Sequence, residues 1–248
     1  MDISQQAPPF RLVKRTVAAG MMAATIVLAT AVERKEGEVK VYVNQNLENI
    51  IQEQEEKIGI QYPEELPRIH YYVPEDVAKM GSPGSYDYKT NNIHLQSAFL
   101  EPPEWDFSTA KDTIHHELAH YYMDKLSERL VDEDWPKYED DMTLAQMLGI
   151  KLISEGTATY IERKMNGQED TFTDKDWPKG IRGFVFHPLL PYPRNEIIYN
   201  GGFHLVKPII DQYGERGIKY LMFDPPQEHE MLNLPLYQQR MLEELSDI

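Results

Sequence analysis

Cysteine is absent from the 248 residues, which removes disulfides, thiolate metal ligands, a thiol nucleophile and lipid-modified thiols from the possible chemistry. Stability must come from packing and, where one binds, from a metal; the compartment stays open, since exported proteins need no cysteine. Positive charge is scarce as well, with 25 Lys and Arg against 41 Asp and Glu and a net charge of −16. That balance argues against nucleic acid, whose binding begins with neutralising phosphates. An acidic surface gives solubility and favours basic substrates without locating a site. No internal repeat or low-complexity tract is found, and 41% hydrophobic with 27% charged residues is ordinary globular composition.

A full-length apolar span is also lacking, because the uncharged run Thr16 to Ala31 falls short of the roughly 20 residues a membrane helix wants. Arg11, Lys14 and Arg15 precede it, and it ends Ala29-Thr30-Ala31 before the charged Glu33 to Glu36. A basic start, an apolar stretch and a small-x-small end match a secretory signal cleaved after Ala31. An uncleaved membrane anchor and a buried core helix are the competing readings. In the first two, the protein is exported and works outside the cytoplasm, secreted or membrane-anchored. Residues 1–31 are therefore set apart from a body, 32–248, sized for one domain of two lobes, 32–130 and 142–248.

Within that body, Glu38 to Val43 alternates like a half-buried strand, and Leu47, Ile50, Ile51 and Ile58 follow at helical spacing. Arg68 to Val73 reads as a second strand ended by Pro74, and Ser85 to Lys89 with Asn92 to Leu95 as a hairpin turning at Thr90-Asn91. Val131 to Asp141 is a charged linker; a calcium site there is the lesser alternative to a solvated loop. Met142 to Lys164 is helical and ends at Asn166-Gly167. The stretch from Gln168 to Asn195 is rich in proline and aromatics, and either walls a cleft or is an insertion packed for stability. Helices follow over Glu196 to Gln212, Gly214 to Met222 and Leu236 to Leu245. The fold class is α+β.

The chemistry centres on His116-Glu117-Leu118-Ala119-His120. Residues four apart on a helix stand one turn above each other, so His116 and His120 can share a metal while Glu117 flanks it. Thr109 to Asp112 reads as a capping box, and Ile114, Leu118, Tyr121, Tyr122 and Leu126 recur at helical spacing. Later comes Glu155 in Ser154-Glu155-Gly156-Thr157-Ala158-Thr159-Tyr160. Its neighbours Leu152, Ile153, Ala158 and Ile161 form an apolar stripe that carries the carboxylate against protein, where it wants a cation. Two imidazoles, one carboxylate and an open position make a catalytic zinc site. Cobalt or manganese are alternatives for the same ligands.

These segments, with Tyr199-Asn-Gly-Gly202-Phe-His204-Leu205-Val206 and Gln-Tyr213-Gly214, resemble the gluzincins, and within them the peptidase MA-like group, over about Tyr86 to Leu221. The resemblance implies a zincin-like two-lobed fold, a small mixed sheet with the HExxH helix followed by a mainly helical lobe. It implies Zn2+ held by His116, His120 and Glu155, Glu117 as general base, and peptide or protein substrates. It also implies a tyrosine, Tyr199, that reaches the oxyanion, with His204 the rival. Five residues turn about 140 degrees along a helix, so one regular helix cannot aim both at the metal. The blander alternatives are that Tyr199 packs against the active-site helix and that His204 is a surface histidine.

By the same resemblance, the Asn92 to Leu95 backbone is expected to pair with an extended substrate. Asp112, one turn before His116, either orients that ligand or only caps the helix; His115 points elsewhere. Thr159 stands where some gluzincins have an Asp supporting a ligand histidine. That departure feeds a second hypothesis, an envelope-associated metal-stabilised binding or assembly module with little or no catalysis. Retention of Glu117 favours the peptidase, because a structural site has no use for a base.

Overall fold

The computed structural model describes residues 37–38, 40–71, 84–95, 107–131, 135, 142–168, 197–231 and 233–247. The apolar run at 16–31, read above as an export signal, an anchor or a core helix, lies outside these residues, as do most of the charged linker and the proline-rich stretch after Gln168. Among the described residues no helix is long and apolar enough to cross a membrane.

The first element corrects the sequence reading. Residues 40–54 form a helix, α1, which runs into a wider π-helical turn at Glu55–Gly59. The expected strand over Glu38 to Val43 is absent from this helix: Val43 is fully buried while Val41 is 54% exposed, although a strand would point both to one face. The short valine alternation yields to the longer 3.6-residue pattern of Val43, Leu47, Ile50 and Ile51, which buries more apolar surface.

Three short strands follow, β1 (Arg68–Tyr71), β2 (Gly84–Asp87) and β3 (Asn92–Leu95), in the order β1-β3-β2. The hairpin is as expected. Asp87 accepts from the Lys89 amide at 3.0 Å and the Thr90 hydroxyl at 2.8 Å, and Asn91 takes the left-handed conformation at φ 54°, one that Asn tolerates at a turn. A second correction concerns β3. It pairs in parallel with β1 and antiparallel with β2, so both of its edges are occupied. An extended substrate cannot add to Asn92–Leu95; β2 carries the edge beside the site.

Helix α2 (Phe107–Val131) holds the HExxH segment. It begins two residues before Thr109, so Thr109 lies inside the helix and does not cap it. Helix α3 (Leu144–Asn166) has the textual signals of both ends: a reciprocal capping box between Thr143 and Gln146, and Gly167 at φ 62° closing on the Arg163 carbonyl. A π-helical turn at Ile197–Gly201 then leads into α4 (Gly202–Tyr213), followed by α5 (Glu215–Phe223) and α6 (Leu234–Ser246). Pro208 inside α4 has no N–H for the His204 carbonyl. Gln238 from α6 donates to that carbonyl at 3.0 Å and to the Leu205 carbonyl at 3.1 Å, so the helix continues.

One apolar cluster runs from Val43 through Ile93, Leu118, Ile153 and Val206 to Leu245, crossing both expected lobes. Polar clamps fix α2 within it. Behind the motif, Gln54 donates to the His115 carbonyl at 3.0 Å and its amide nitrogen lies 2.7 Å from His115 Nδ1. Tyr62 reaches the Leu118 carbonyl at 3.1 Å. In front, the fully buried Asp124 accepts from the Tyr86 hydroxyl at 2.5 Å and the Trp135 amide at 2.9 Å, joining α2, β2 and the linker.

Candidate metal centre

Helices α2 and α3 bring His116, His120 and Glu155 together, each offering a ligand atom within 4.8 Å of the others. His116 Nε2 lies 3.2 Å from His120 Nε2 and 3.3 Å from Glu155 Oε2, and His120 Nε2 lies 3.4 Å from the same oxygen. Donors about 2.0–2.2 Å from one tetrahedral ion stand roughly 3.3–3.6 Å apart. The spacing therefore fits a single ion among these atoms. Two imidazoles and a carboxylate are also the donor set that suits zinc.

The outer nitrogens are held as well. His116 Nδ1 lies 2.9 Å from Glu162 Oε2, and His120 Nδ1 lies 3.2 Å from Ser154 Oγ. Such partners fix which ring nitrogen faces the ion and how the ring is turned. Sequence reading assigned no role to Glu162 or Ser154. The signal was present: Glu162 is seven residues after Glu155, two helical turns along the same face. The carboxylate at His116 Nδ1 is thus that of Glu162.

Electrostatics match this packing. Burial alone would depress the His116 imidazole, but bonds to Glu155 and Glu162 and the Glu117 charge outweigh it and push it up to about 10. Burial also opposes charge on Glu155, yet the two histidines hold its carboxylate well below the usual range. Glu117, 6% exposed, is raised by burial against the pull of His116 and His120, with the Tyr86 backbone N–H bonded to its carboxylate.

The structure brings Tyr199 to this cluster. Its ring centroid lies 5.7 Å from that of His116, and burial followed by the charges of Glu155, Glu117 and Glu162 raises its hydroxyl, which bonds Glu155. His204 packs edge-on against the Phe203 ring at 5.4 Å. The segment is not one regular helix, since Tyr199 sits on the π-helical turn and His204 on α4. A glycine pair makes the docking of this segment possible: a Cβ on Gly156 would fall 2.4 Å from the Gly202 carbonyl carbon, and one on Gly202 2.5 Å from the Leu152 oxygen. Backbone meets backbone there, which only glycine at both positions allows.

Comparison with known proteins gives no match: no family model, no curated protein and no solved structure aligns with the chain. The functional reading therefore stands on the site itself.

Proposed function

We propose that this protein is a single-zinc peptidase of zincin-like architecture, an endopeptidase of the gluzincin kind that its motifs resemble. The supporting observation is the 3.2–3.4 Å spacing of the His116, His120 and Glu155 donors with a buried carboxylate, Glu117, directly beside them. When bound, zinc supplies a polarised carbonyl and a water acidified toward neutral pH.

The chain's own groups do the rest. Glu117 takes the proton of the attacking water and passes it to the leaving amine; its raised affinity for protons suits both halves of that transfer. Tyr199, whose hydroxyl stays protonated at working pH, donates to the oxyanion that forms at the attacked carbonyl. Glu162 and Ser154 keep the imidazoles turned inward. An extended peptide adds to the outer edge of β2, the strand that lies against Glu117. The apolar segment at Thr16 to Ala31 accounts for export in this reading.

The test couples metal analysis of the purified protein to digestion of an unbiased peptide library, with Glu117→Gln as control. Wild type and variant should each hold one zinc, while cleavage drops about 10²–10⁴-fold in the variant. Absence of metal from the wild type, or undiminished cleavage by Glu117→Gln, rejects this assignment. One zinc in a wild type that cleaves nothing favours the metal-stabilised binding module instead.

A further inference from the structure

Gly84 opens β2 directly against the base. A Cβ built there would stand 3.1 Å from both Cγ and Oε1 of Glu117 and 2.4 Å from Cγ2 of Thr113. Its backbone is not among those with positive φ, so conformation does not demand glycine; space does. A side chain at this position must displace Thr113, Glu117 or the strand. The strand is the least free to retreat. It is paired in register to β3 from Gly84 to Asp87, and the Tyr86 hydroxyl ties it to Asp124 of α2. The Thr113 methyl sits on the backbone-proximal end of a short side chain. Thr113, met at 2.4 Å, has the most to give, and Glu117, met at 3.1 Å and carrying three torsions, gives by a few tenths of an ångström.

We propose that Gly84 is a positioning residue of this site: its missing side chain leaves the slot in which β2 holds the Glu117 carboxylate beside the His116, His120 and Glu155 cluster. The inference rests on the hydrolase reading above. It separates two properties that most substitutions near a metal change together. The ligands come from α2 and α3 and are untouched by a methyl at residue 84, whereas the base is moved by it. A displacement of about 1 Å of a reacting group lowers turnover by roughly 10²-fold, so the few tenths of an ångström demanded of Glu117 lower it severalfold.

The experiment uses the full chain loaded with zinc, and in parallel with cobalt(II), in four forms: wild type, Gly84→Ala, Thr113→Ser, and the double variant Gly84→Ala/Thr113→Ser. Serine at 113 removes the methyl that the new Cβ meets first and leaves its contact with Glu117. Expected are wild-type metal content in all four, a severalfold fall in peptide-library cleavage in both Gly84 variants, and wild-type cleavage in Thr113→Ser. The visible absorption of the cobalt form, which senses the solvent ligand and the carboxylate bonded to it, should shift in both Gly84 variants. Recovery of wild-type rate and spectrum in the double variant overturns the proposal, because the Thr113 clash then explains the whole effect. Loss of metal from the double variant, or full activity of Gly84→Ala, overturns it too. A wild type that cleaves nothing fails at the first step and removes the hydrolase reading itself, a result distinct from any of these.

Discussion

Glu162 on α3 and His116 on α2 stand 2.9 Å apart, carboxylate to Nδ1, with the opposite ring nitrogen turned toward His120 and Glu155. One helix thus provides a candidate ligand and, two turns later, the carboxylate that holds a second candidate ligand on its neighbour. The candidate centre is a property of the α2–α3 pairing more than of the five-residue motif.

Removing that carboxylate should weaken zinc binding while sparing the ligands. For Glu162→Ala the expected loss is about 10–100-fold in affinity, with Glu162→Gln in between because it keeps an acceptor without the charge. Competition against a chromophoric chelator measures this directly. Equal affinity in all three proteins would show that His116 needs no such support.

Zinc binding should release protons in a way that identifies His116. The metal-free imidazole, pushed up to about 10, is protonated at neutral pH, whereas Glu155 is already ionised. Binding at pH 7 to 8 therefore expels about one proton from this pair, and apparent affinity climbs about tenfold per pH unit until the imidazole deprotonates unaided. The sign follows from a raised pKa: alkali frees the ligand, acid blocks it. Calorimetric titration in buffers of differing ionisation enthalpy counts the proton, and a pH-independent affinity over this range contradicts the His116–Glu155–Glu162 arrangement.

The Gly156–Gly202 contact predicts a stability loss out of proportion to the atoms added. Alanine at either position puts a methyl 2.4–2.5 Å from opposing backbone, which cannot move aside as a flexible side chain does. Overpacking of this kind costs about 1–3 kcal/mol and more where nothing yields; urea unfolding should place both variants at or above 3 kcal/mol. The same change would push Tyr199 away from His116.

Much of this site could be read before any coordinates. The i, i+4 histidines, the glutamate between them and the apolar stripe around Glu155 are local patterns, and the structure brings these side chains together. The hairpin at Thr90-Asn91 and the Gly167 helix end were legible for the same reason: turn and cap chemistry is written in adjacent residues. Contacts between elements were not. Glu162, Ser154 and Gly84 act across 46, 34 and 33 positions of chain respectively, and single-sequence periodicity carries no term for such pairs. The misread strand at Glu38 to Val43 shows the opposite limit. Val39, Val41 and Val43 fit a period of two, but the choice belonged to the face that the following helix buries. The expectation that β3 receives an extended substrate failed because spatial order in a sheet, β1-β3-β2, is not chain order and leaves β3 paired on both sides.

The bonds from Gln54 and Tyr62 to the His115 and Leu118 carbonyls define how far trimming from the amino end can go. A protease that stops short of residue 40 leaves both donors in place and the HExxH turn braced from behind. One that cuts past Tyr62 strips the rear support from the very turn that presents the two imidazoles, so a harmless cut and a disruptive one are separated by little more than twenty residues of chain.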